Sequence, residues 1–182
     1  AWTYDTVKKD HPASSTRYLD GQAITSRITA LDAAGRTLSA TTTLPAITGW
    51  VDAALAKTYT TTNTFFADGS PKSTTLPAAG NVGSETLSYD YDKVGRPDAL
   101  LGEGAWVADA VRSADGDLLQ TSSGLPGKTT WSTWDVDQGT GRTTSLRLDR
   151  ETHADADYRI GYSYENAGSL SKIATTAPTG GY

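Results

Sequence analysis

The sequence contains no cysteine, few basic residues and no long apolar run. Without cysteine, disulfides, thiolate zinc sites and a cysteine nucleophile are excluded. The formal net charge is −5 and basic residues are not clustered, which argues against a nucleic-acid partner because phosphate binding needs grouped Lys and Arg. No apolar stretch approaches the ~20 residues of a membrane-spanning helix, and no apolar signal-peptide segment is found at Ala1. We therefore expect neither nucleic-acid binding nor a membrane span.

One short sequence motif recurs about six times along the chain. A strand-like run is followed by an acidic residue, two or three further residues and a glycine, often with arginine after it. The clearest copy is 87–96, LSYDYDKVGR, and the anchor glycines of successive copies lie 21 to 34 residues apart. This interval fits one β-hairpin plus its return connection. The residues that we assign to the repeat turns are Asp32, Gly35, Arg36, Asp68, Gly69, Tyr91, Asp92, Gly95, Arg96, Asp115, Gly116, Asp135, Gly141, Arg142, Tyr164, Glu165 and Gly168.

The segments around these turns read as β-strands. Apolar and polar residues alternate in 87–92, 145–149 and 160–165, and threonine-rich runs suit a pleated surface. In each turn the acid can accept a backbone N–H, glycine supplies the positive φ, and arginine can reach an acidic neighbour. Segment 50–57 is the only one with helical character, and we predict a loop or a one-turn helix there.

The phrase Tyr-x-Tyr-Asp-x-x-Gly-Arg at 89–96 resembles the YD repeat of Rhs proteins and their relatives, the toxin-complex cocoon subunits and the teneurins. Segments 69–80 and 85–92 are similar to Rhs proteins of high-GC Gram-positive bacteria in particular. The resemblance covers 24–176, which leaves 1–23 as a lead-in strand or flexible segment and 177–182 as a loose tail. It implies an all-β fold in which about six tandem antiparallel β-hairpins form one curved, spiralling sheet, part of a YD-repeat shell.

The resemblance also implies a structural role. In such proteins the shell encapsulates or displays a C-terminal toxin or effector domain, or forms a surface for adhesion and carbohydrate contact. The expected partners are the remainder of a longer Rhs-type chain, its effector and, in the alternative, glycans; the expected setting is secreted or at the cell surface. No Asp-Pro dipeptide is present, so self-processing is not carried over, and neither is toxin activity. An open piece of such a sheet has unpaired edges, which predicts edge-strand self-association.

Patterns for catalysis or metal binding are weak. Residues 153–157, HADAD, place three potential ligands at every second position, too far apart on a strand to bind one ion together, and are interpreted as a polar loop tip. Segment 135–139 begins like a calcium loop but lacks the later acids. Two histidines, His11 and His153, give little basis for a Ser-His-Asp triad, and carboxylate pairs such as 90/92 and 115/117 are interpreted as turn acids rather than a glycosidase pair. We expect a non-enzymatic segment with no metal and no other cofactor.

The aromatic residues leave one functional alternative open. The tryptophans are Trp2, Trp50, Trp106, Trp131 and Trp134, accompanied by nine tyrosines. Aromatic side chains stabilise sheets through cross-strand pairs, which is the favoured interpretation, but an exposed ring also stacks on sugars. The candidate ligand-binding residues are Trp106, Trp131 and Trp134. In a regular strand Trp131 and Trp134 point to opposite faces, so at most one of them serves a given ligand.

Overall fold

The computed structural model describes residues 1–49 and 51–177, apart from the side chains of residues 153–156. Trp50, the side chain of His153 and the tail beyond residue 177 therefore lie outside the described residues. Within them, the chain is built almost entirely of β-strands. The strands are β1 Trp2–Tyr4, β2 Pro12–Leu19, β3 Gln22–Leu31, β4 Thr37–Thr43, β5 Thr58–Phe65, β6 Pro71–Leu76, β7 Glu85–Tyr91, β8 Pro97–Leu101, β9 Ala105–Val107, β10 Asp109–Arg112, β11 Leu118–Ser123, β12 Thr130–Val136, β13 Thr143–Arg150, β14 His153–Tyr164 and β15 Leu170–Thr176.

The strands follow one another in space as they do in sequence. The order is β1 to β9 in one sheet and β10 to β15 in a second, and the pairings are antiparallel. The prediction of an all-β chain of tandem antiparallel hairpins is confirmed, with the strands divided between two sheets instead of one. By compactness the chain forms two units, Ala1–Ser88 and Tyr89–Tyr182.

The first unit has a small apolar core. Ala13, Ile24 and Ile47 are its buried apolar residues among those described. Hydroxyl groups pair across neighbouring strands, for example Thr16 with Thr25 at 3.1 Å and Thr43 with Thr58 at 2.9 Å. The threonine-rich runs therefore form strands held together by side-chain pairs as well as by the backbone ladder. Residues 1–23, for which the sequence predicted a lead-in strand or flexible segment, hold β1, β2 and the beginning of β3.

Segment 50–57, predicted as a loop or one-turn helix, contains a single 3₁₀ turn, Ala53–Leu55. The carboxylate of Asp52 accepts the backbone N–H of Ala54 at 2.8 Å and caps this turn. No helix among the described residues is long and apolar enough to cross a membrane.

The second unit contains the division between the sheets. The β11 segment bonds to β9 through the N–H of Gly124, which donates to the oxygen of Ala105 at 2.8 Å, and the N–H of Ala108 donates to the oxygen of Ser122 at 2.7 Å. One long segment thus bonds to β9 and to β10 in turn. Among the residues whose side chains are described, Ser145 and Asp149 are the buried polar ones, and both lie in β13.

Candidate functional site: the row of hairpin turns

Five of the repeat turns in the described part of the chain share one backbone geometry. The N–H of the first residue donates to the oxygen of the fifth, and the N–H of the fourth, a glycine, donates to the oxygen of the first, at 2.7–3.1 Å. These glycines have φ of +82° to +99°, so the turns are three-residue hairpin loops with a bulge at glycine. From first to fifth residue the turns are 32–36, 66–70, 92–96, 113–117 and 165–169.

The acid occupies the first position in three of these turns, at Asp32, Asp92 and Glu165. The N–H of Arg96 donates to Asp92 Oδ1 at 2.9 Å and its Nε donates to Oδ2 at 2.7 Å, and Arg36 binds Asp32 in the same manner. The backbone hydrogen bond from Arg96, followed by its side-chain bond, lowers the pKa of Asp92 to about 2. The backbone N–H of Arg36 is also the main cause of the lowered pKa of Asp32. The acid and the arginine of one turn therefore lock that turn.

The other copies place their acids differently. Asp68 and Asp115 are the third residues of their turns, which begin at Phe66 and Ser113. Asp68 accepts the hydroxyl of Ser70 at 2.6 Å, and this hydroxyl is the largest cause of its lowered pKa. The backbone bonds that define the turn do not need a carboxylate, so a phenylalanine or a serine can take the first position.

Around Gly141 the turn differs from the sequence assignment. It is one residue longer: the N–H of Asp137 donates to the oxygen of Arg142 at 2.8 Å, and the N–H of Gly141 donates to the oxygen of Asp137 at 2.8 Å. The acid of this turn is Asp137, whose pKa is lowered chiefly by the hydroxyl of Thr140. Asp135, which the sequence assigned to the turn, lies in β12 and accepts the Ser145 hydroxyl.

Basic side chains link each of several turns to the next one. A Cβ placed on Gly69 would lie 2.9 Å from Nη1 of Arg36, and a Cβ on Gly116 would lie 3.3 Å from Nη1 of Arg96. A Cβ on Gly168 would overlap the guanidinium of Arg142. These glycines therefore serve twice, because they adopt positive φ and leave room for the cation of the preceding turn.

Gly141 acts as a natural control for this link. Like Gly95, it has no atom within 4 Å of the position that a Cβ would take. The turn before Gly141 in the second unit ends in Asp117, which carries no guanidinium. Open space is therefore found at Gly141 where the preceding turn lacks arginine, so the last residue of a turn decides whether the link forms.

Aromatic residues complete the link. Cζ of Arg36 lies 4.6 Å from the ring centroid of Phe65, and Cζ of Arg142 lies 5.5 Å from that of Tyr164. Each ring directly precedes the first residue of the following turn. Arg36 and Arg142 thus extend from their own turns to an aromatic ring and a glycine of the next. Tyr91 stands in the same position directly before Asp92.

One link was missed by sequence reasoning. His11 ends the β1–β2 loop, in which the N–H of Asp5 donates to the oxygen of His11 at 3.0 Å. The Nε2 atom of His11 would lie 2.6 Å from a Cβ on Gly35. His11 therefore takes the place that an arginine takes in the other linked turns. The loop is longer and lacks glycine before its basic residue, so the repeat pattern did not reveal it. The acid at Asp5 is the only trace of the motif there.

The candidate tryptophans do not form one surface. Trp106 lies in β9 and is 57% exposed to solvent. Trp131 and Trp134 are half-buried in β12, where the register runs regularly from 130 to 135, so their side chains alternate to opposite faces. Trp131 lies opposite Asp149 and Trp134 opposite Leu146. Each therefore has different neighbours.

The structure brings no metal-binding set together in the part of the chain it describes, where no three His, Asp or Glu side chains cluster. The carboxylate of Asp157 pairs with Arg150, while the rest of the 153–157 run lies outside the described side chains. Glu151 accepts the N–H groups of Gly127 and Thr129 at 2.8 and 3.0 Å, which fixes the preceding loop. The bond from Thr129 is the main cause of its lowered pKa.

Antiparallel hairpins in sequence order, with arginine-linked turns, define a tandem β-hairpin repeat. Neither a protein-family model nor a curated protein sequence matches the chain. Several solved structures are similar to the chain. A crystal structure of TcdB2–TccC3 matches with a TM-score of 0.67 and 16% identity, over 93% of this chain and 10% of that chain. A crystal structure of TcdB2–TccC3–TEV matches with a TM-score of 0.65 and 16% identity, over 94% of this chain and 10% of that chain. A structure of the Photorhabdus luminescens Tc holotoxin pore matches with a TM-score of 0.66 and 17% identity, over 94% of this chain and 9% of that chain.

These similarities show the fold. The chain has the Rhs-like fold that the YD motif predicted, and it spans about a tenth of the length of the chains it matches.

Proposed function

We propose that this chain is a non-catalytic wall segment of a YD-repeat shell that encapsulates or displays a toxin or effector domain. It belongs to a longer Rhs-type chain with a C-terminal effector, secreted or held at the cell surface, of the kind found in high-GC Gram-positive bacteria. The segment has a structural role, because each hairpin pairs with its neighbours and the paired hairpins form a wide sheet surface.

The observation that carries this proposal is the combination of fold and coverage. Nearly the whole chain superposes on parts of toxin-complex chains that are about ten times longer. The carboxylates of the repeat motif also lie in its turns, where they are bound by backbone N–H groups and by arginine. Carboxylates used in this way hold loops closed and are poorly suited to proton transfer.

The test uses the native product that contains this segment. We expect intact-mass spectrometry to find a chain much longer than 182 residues with a distinct C-terminal domain. Under limited proteolysis that domain should survive in the native protein and be digested after heat denaturation. A native product consisting of this chain alone, or a C-terminal domain digested equally fast in both states, would overturn the proposal.

Sugar binding is the second candidate function, and the exposed Trp106 is the observation that favours it. An exposed indole on a sheet offers a flat apolar face to a pyranose ring. Signal on a glycan array that disappears in Trp106→Ala, and persists in Trp131→Ala, would support it. Equal signal from both variants and the unchanged chain would remove Trp106 from consideration.

A further inference from the structure

The chain contains three Asp-Gly dipeptides, at 20–21, 68–69 and 115–116. In such a pair the backbone nitrogen of glycine can attack the side-chain carbonyl carbon of the preceding aspartate, because glycine has no Cβ to obstruct the approach. The attack is easiest where neither the glycine N–H nor the carboxyl group is held by a hydrogen bond, since a held group must first be released. The three pairs differ in both respects, so the chain contains its own comparison series.

Both groups are unrestrained in the pair at 20–21. This pair is the two-residue loop between β2 and β3, where Leu19 lies opposite Gln22. Asp20 and Gly21 have φ of +48° and +75°, as in the type I′ turn that Asp-Gly favours. Both residues are exposed, and in the described part of the chain neither the carboxylate of Asp20 nor the N–H of Gly21 makes a hydrogen bond. The nitrogen and the carboxyl group are therefore both available.

Both groups are held in the pair at 68–69. The N–H of Gly69 donates to the oxygen of Phe66 at 3.0 Å. The carboxylate of Asp68 accepts the N–H and the hydroxyl of Ser70 at 2.9 and 2.6 Å. The hydroxyl bond, followed by the backbone bond, lowers the pKa of Asp68. This disfavours the attack further, because the carboxyl group loses water only from its protonated form.

The third pair is intermediate. The N–H of Gly116 donates to the oxygen of Ser113 at 3.0 Å, so the nitrogen is held. The carboxylate of Asp115 makes no hydrogen bond or ion pair with the residues that the structure describes. One bond must therefore open before the attack on Asp115, against three for Asp68 and none for Asp20.

We propose that Asp20 is a site of spontaneous isoaspartate formation. The nitrogen of Gly21 bonds to Cγ of Asp20 and loses its proton, and the hydroxyl of the protonated carboxyl group leaves as water. Hydrolysis of the resulting succinimide ring adds one water at either of its two carbonyl carbons. Opening at Cγ restores aspartate, whereas opening at the main-chain carbonyl leaves the backbone running through Cβ and Cγ as isoaspartate. The net reaction is an isomerisation that needs only water.

The product alters the hairpin where its geometry is most restricted. A two-residue loop with both φ values positive matches the twist of the strands that it joins. Isoaspartate adds one methylene group to the main chain of this loop, so it disturbs the pairing of Leu19 with Gln22 at the ends of β2 and β3. The proposal is independent of the wall role and of sugar binding, because it concerns the chemical lifetime of one exposed hairpin.

The test is incubation of the 182-residue chain for several weeks at neutral pH, followed by digestion and electron-transfer fragmentation, which distinguishes isoaspartate from aspartate. A sample that was not incubated gives the background. We expect isoaspartate at Asp20 to exceed that at Asp115 by about two- to tenfold, the factor that corresponds to opening one hydrogen bond. Asp68, with the most bonds to open, should show the least. Labelling with an L-isoaspartyl methyltransferase gives an independent measure of the total.

Unfolding the chain supplies the matched control. In concentrated urea the hydrogen bonds of the turns are absent, so the three Asp-Gly pairs should form isoaspartate at similar rates. In the folded chain, Ser70→Ala removes the hydroxyl that Asp68 accepts and should raise isoaspartate at Asp68 while leaving Asp20 unchanged. Asp20→Asn keeps a pair suited to a type I′ turn and should reach the same succinimide faster, with loss of ammonia in place of water. Circular dichroism establishes that each variant is folded.

Three results would overturn the proposal. Equal isoaspartate at the three pairs of the folded chain would show that the hydrogen bonds of the turns do not control the reaction. An excess at Asp20 that persists in urea would assign the preference to local sequence and reject the folded turn as its cause. Absence of isoaspartate at Asp20 in the folded chain, after an incubation that modifies the unfolded chain, would show that the type I′ turn itself prevents the attack.

Discussion

Substituting glycine by alanine in two matched turns tests the link between a turn and the one before it. Gly69 and Gly95 have φ of +97° and +82°, but only Gly69 is approached by a guanidinium, that of Arg36. An alanine at positive φ costs roughly 1–2 kcal/mol at either site. At Gly69 the Cβ also displaces the guanidinium from the Phe65 ring, a loss of about 0.5–1 kcal/mol for an exposed cation–π contact. We therefore expect the free energy of unfolding to fall by about 1.5–3 kcal/mol for Gly69→Ala and by about 1–2 kcal/mol for Gly95→Ala.

The decisive measurement is a double-mutant cycle by urea unfolding. In an Arg36→Ala background, the penalty of Gly69→Ala should fall to that of Gly95→Ala, because no cation remains to be displaced. The penalty of Gly95→Ala should be the same in both backgrounds. A Gly69 penalty that is independent of Arg36, or a larger penalty at Gly95, would refute the link and leave backbone conformation as the sole reason for these glycines.

Four further predictions concern single sites. The pKa of Asp92 is lowered to about 2 from an ordinary 3.8, so the stability that its carboxylate contributes is complete above about pH 4 and is lost as the pH falls through 2. In thermal melts from pH 7 to 2, the melting temperature of Asp92→Asn should therefore fall less than that of the unchanged chain. The same pH profile for both would contradict this. Glu151→Ala should speed hydrogen exchange of the two backbone amides that its carboxylate accepts, with Glu151→Gln intermediate; unchanged exchange would show that the loop holds itself. Gly124→Ala should lower the free energy of unfolding by at least about 1 kcal/mol more than Gly127→Ala does. A Cβ on Gly124 would lie 2.5 Å from a backbone oxygen, whereas Gly127 has open space at a similar φ. Equal melting temperatures of the two variants would contradict this prediction. Self-association through the terminal strand β15 should rise with concentration in sedimentation experiments and fall in Ile173→Lys, which charges an exposed position of that strand, and a chain that stays monomeric throughout would count against it.

The turns were the most predictable part of this molecule. Glycine with a short acidic phrase before it has few backbone solutions, so the positions of Gly35, Gly95 and Gly168 follow from the sequence. The strands around them follow from alternation and from threonine content. The sequence does not determine whether Asp135 or Asp137 is the acid of the turn at Gly141. Both residues stand before that glycine, and only the pairing register of β12 and β13 decides which one enters the turn.

Local sequence patterns could not predict the contacts between turns. The sequence shows that Arg36 can reach an acid nearby, and it does reach Asp32. Its approach to Gly69 depends on which turn lies next to it in space, which a motif does not state. The row of Trp2, Ser15, Ser26 and Thr42 was unpredictable for the same reason, since these residues meet only through the register of successive strands.

The links between turns run in one direction, from the basic residue that ends one turn to the glycine of the turn that follows. A hairpin whose turn ends in a basic residue therefore supplies a cation to the next turn, and a hairpin that follows such a turn receives one at its glycine. Tandem duplication or in-frame loss of a whole hairpin creates a single new junction, and any incoming copy with glycine and arginine fits it. The copy ending in Asp117 leaves Gly141 without a cation, so the copy after it can be exchanged with fewer constraints. A gene coding for such a chain can lengthen or shorten by whole repeats without coordinated change elsewhere.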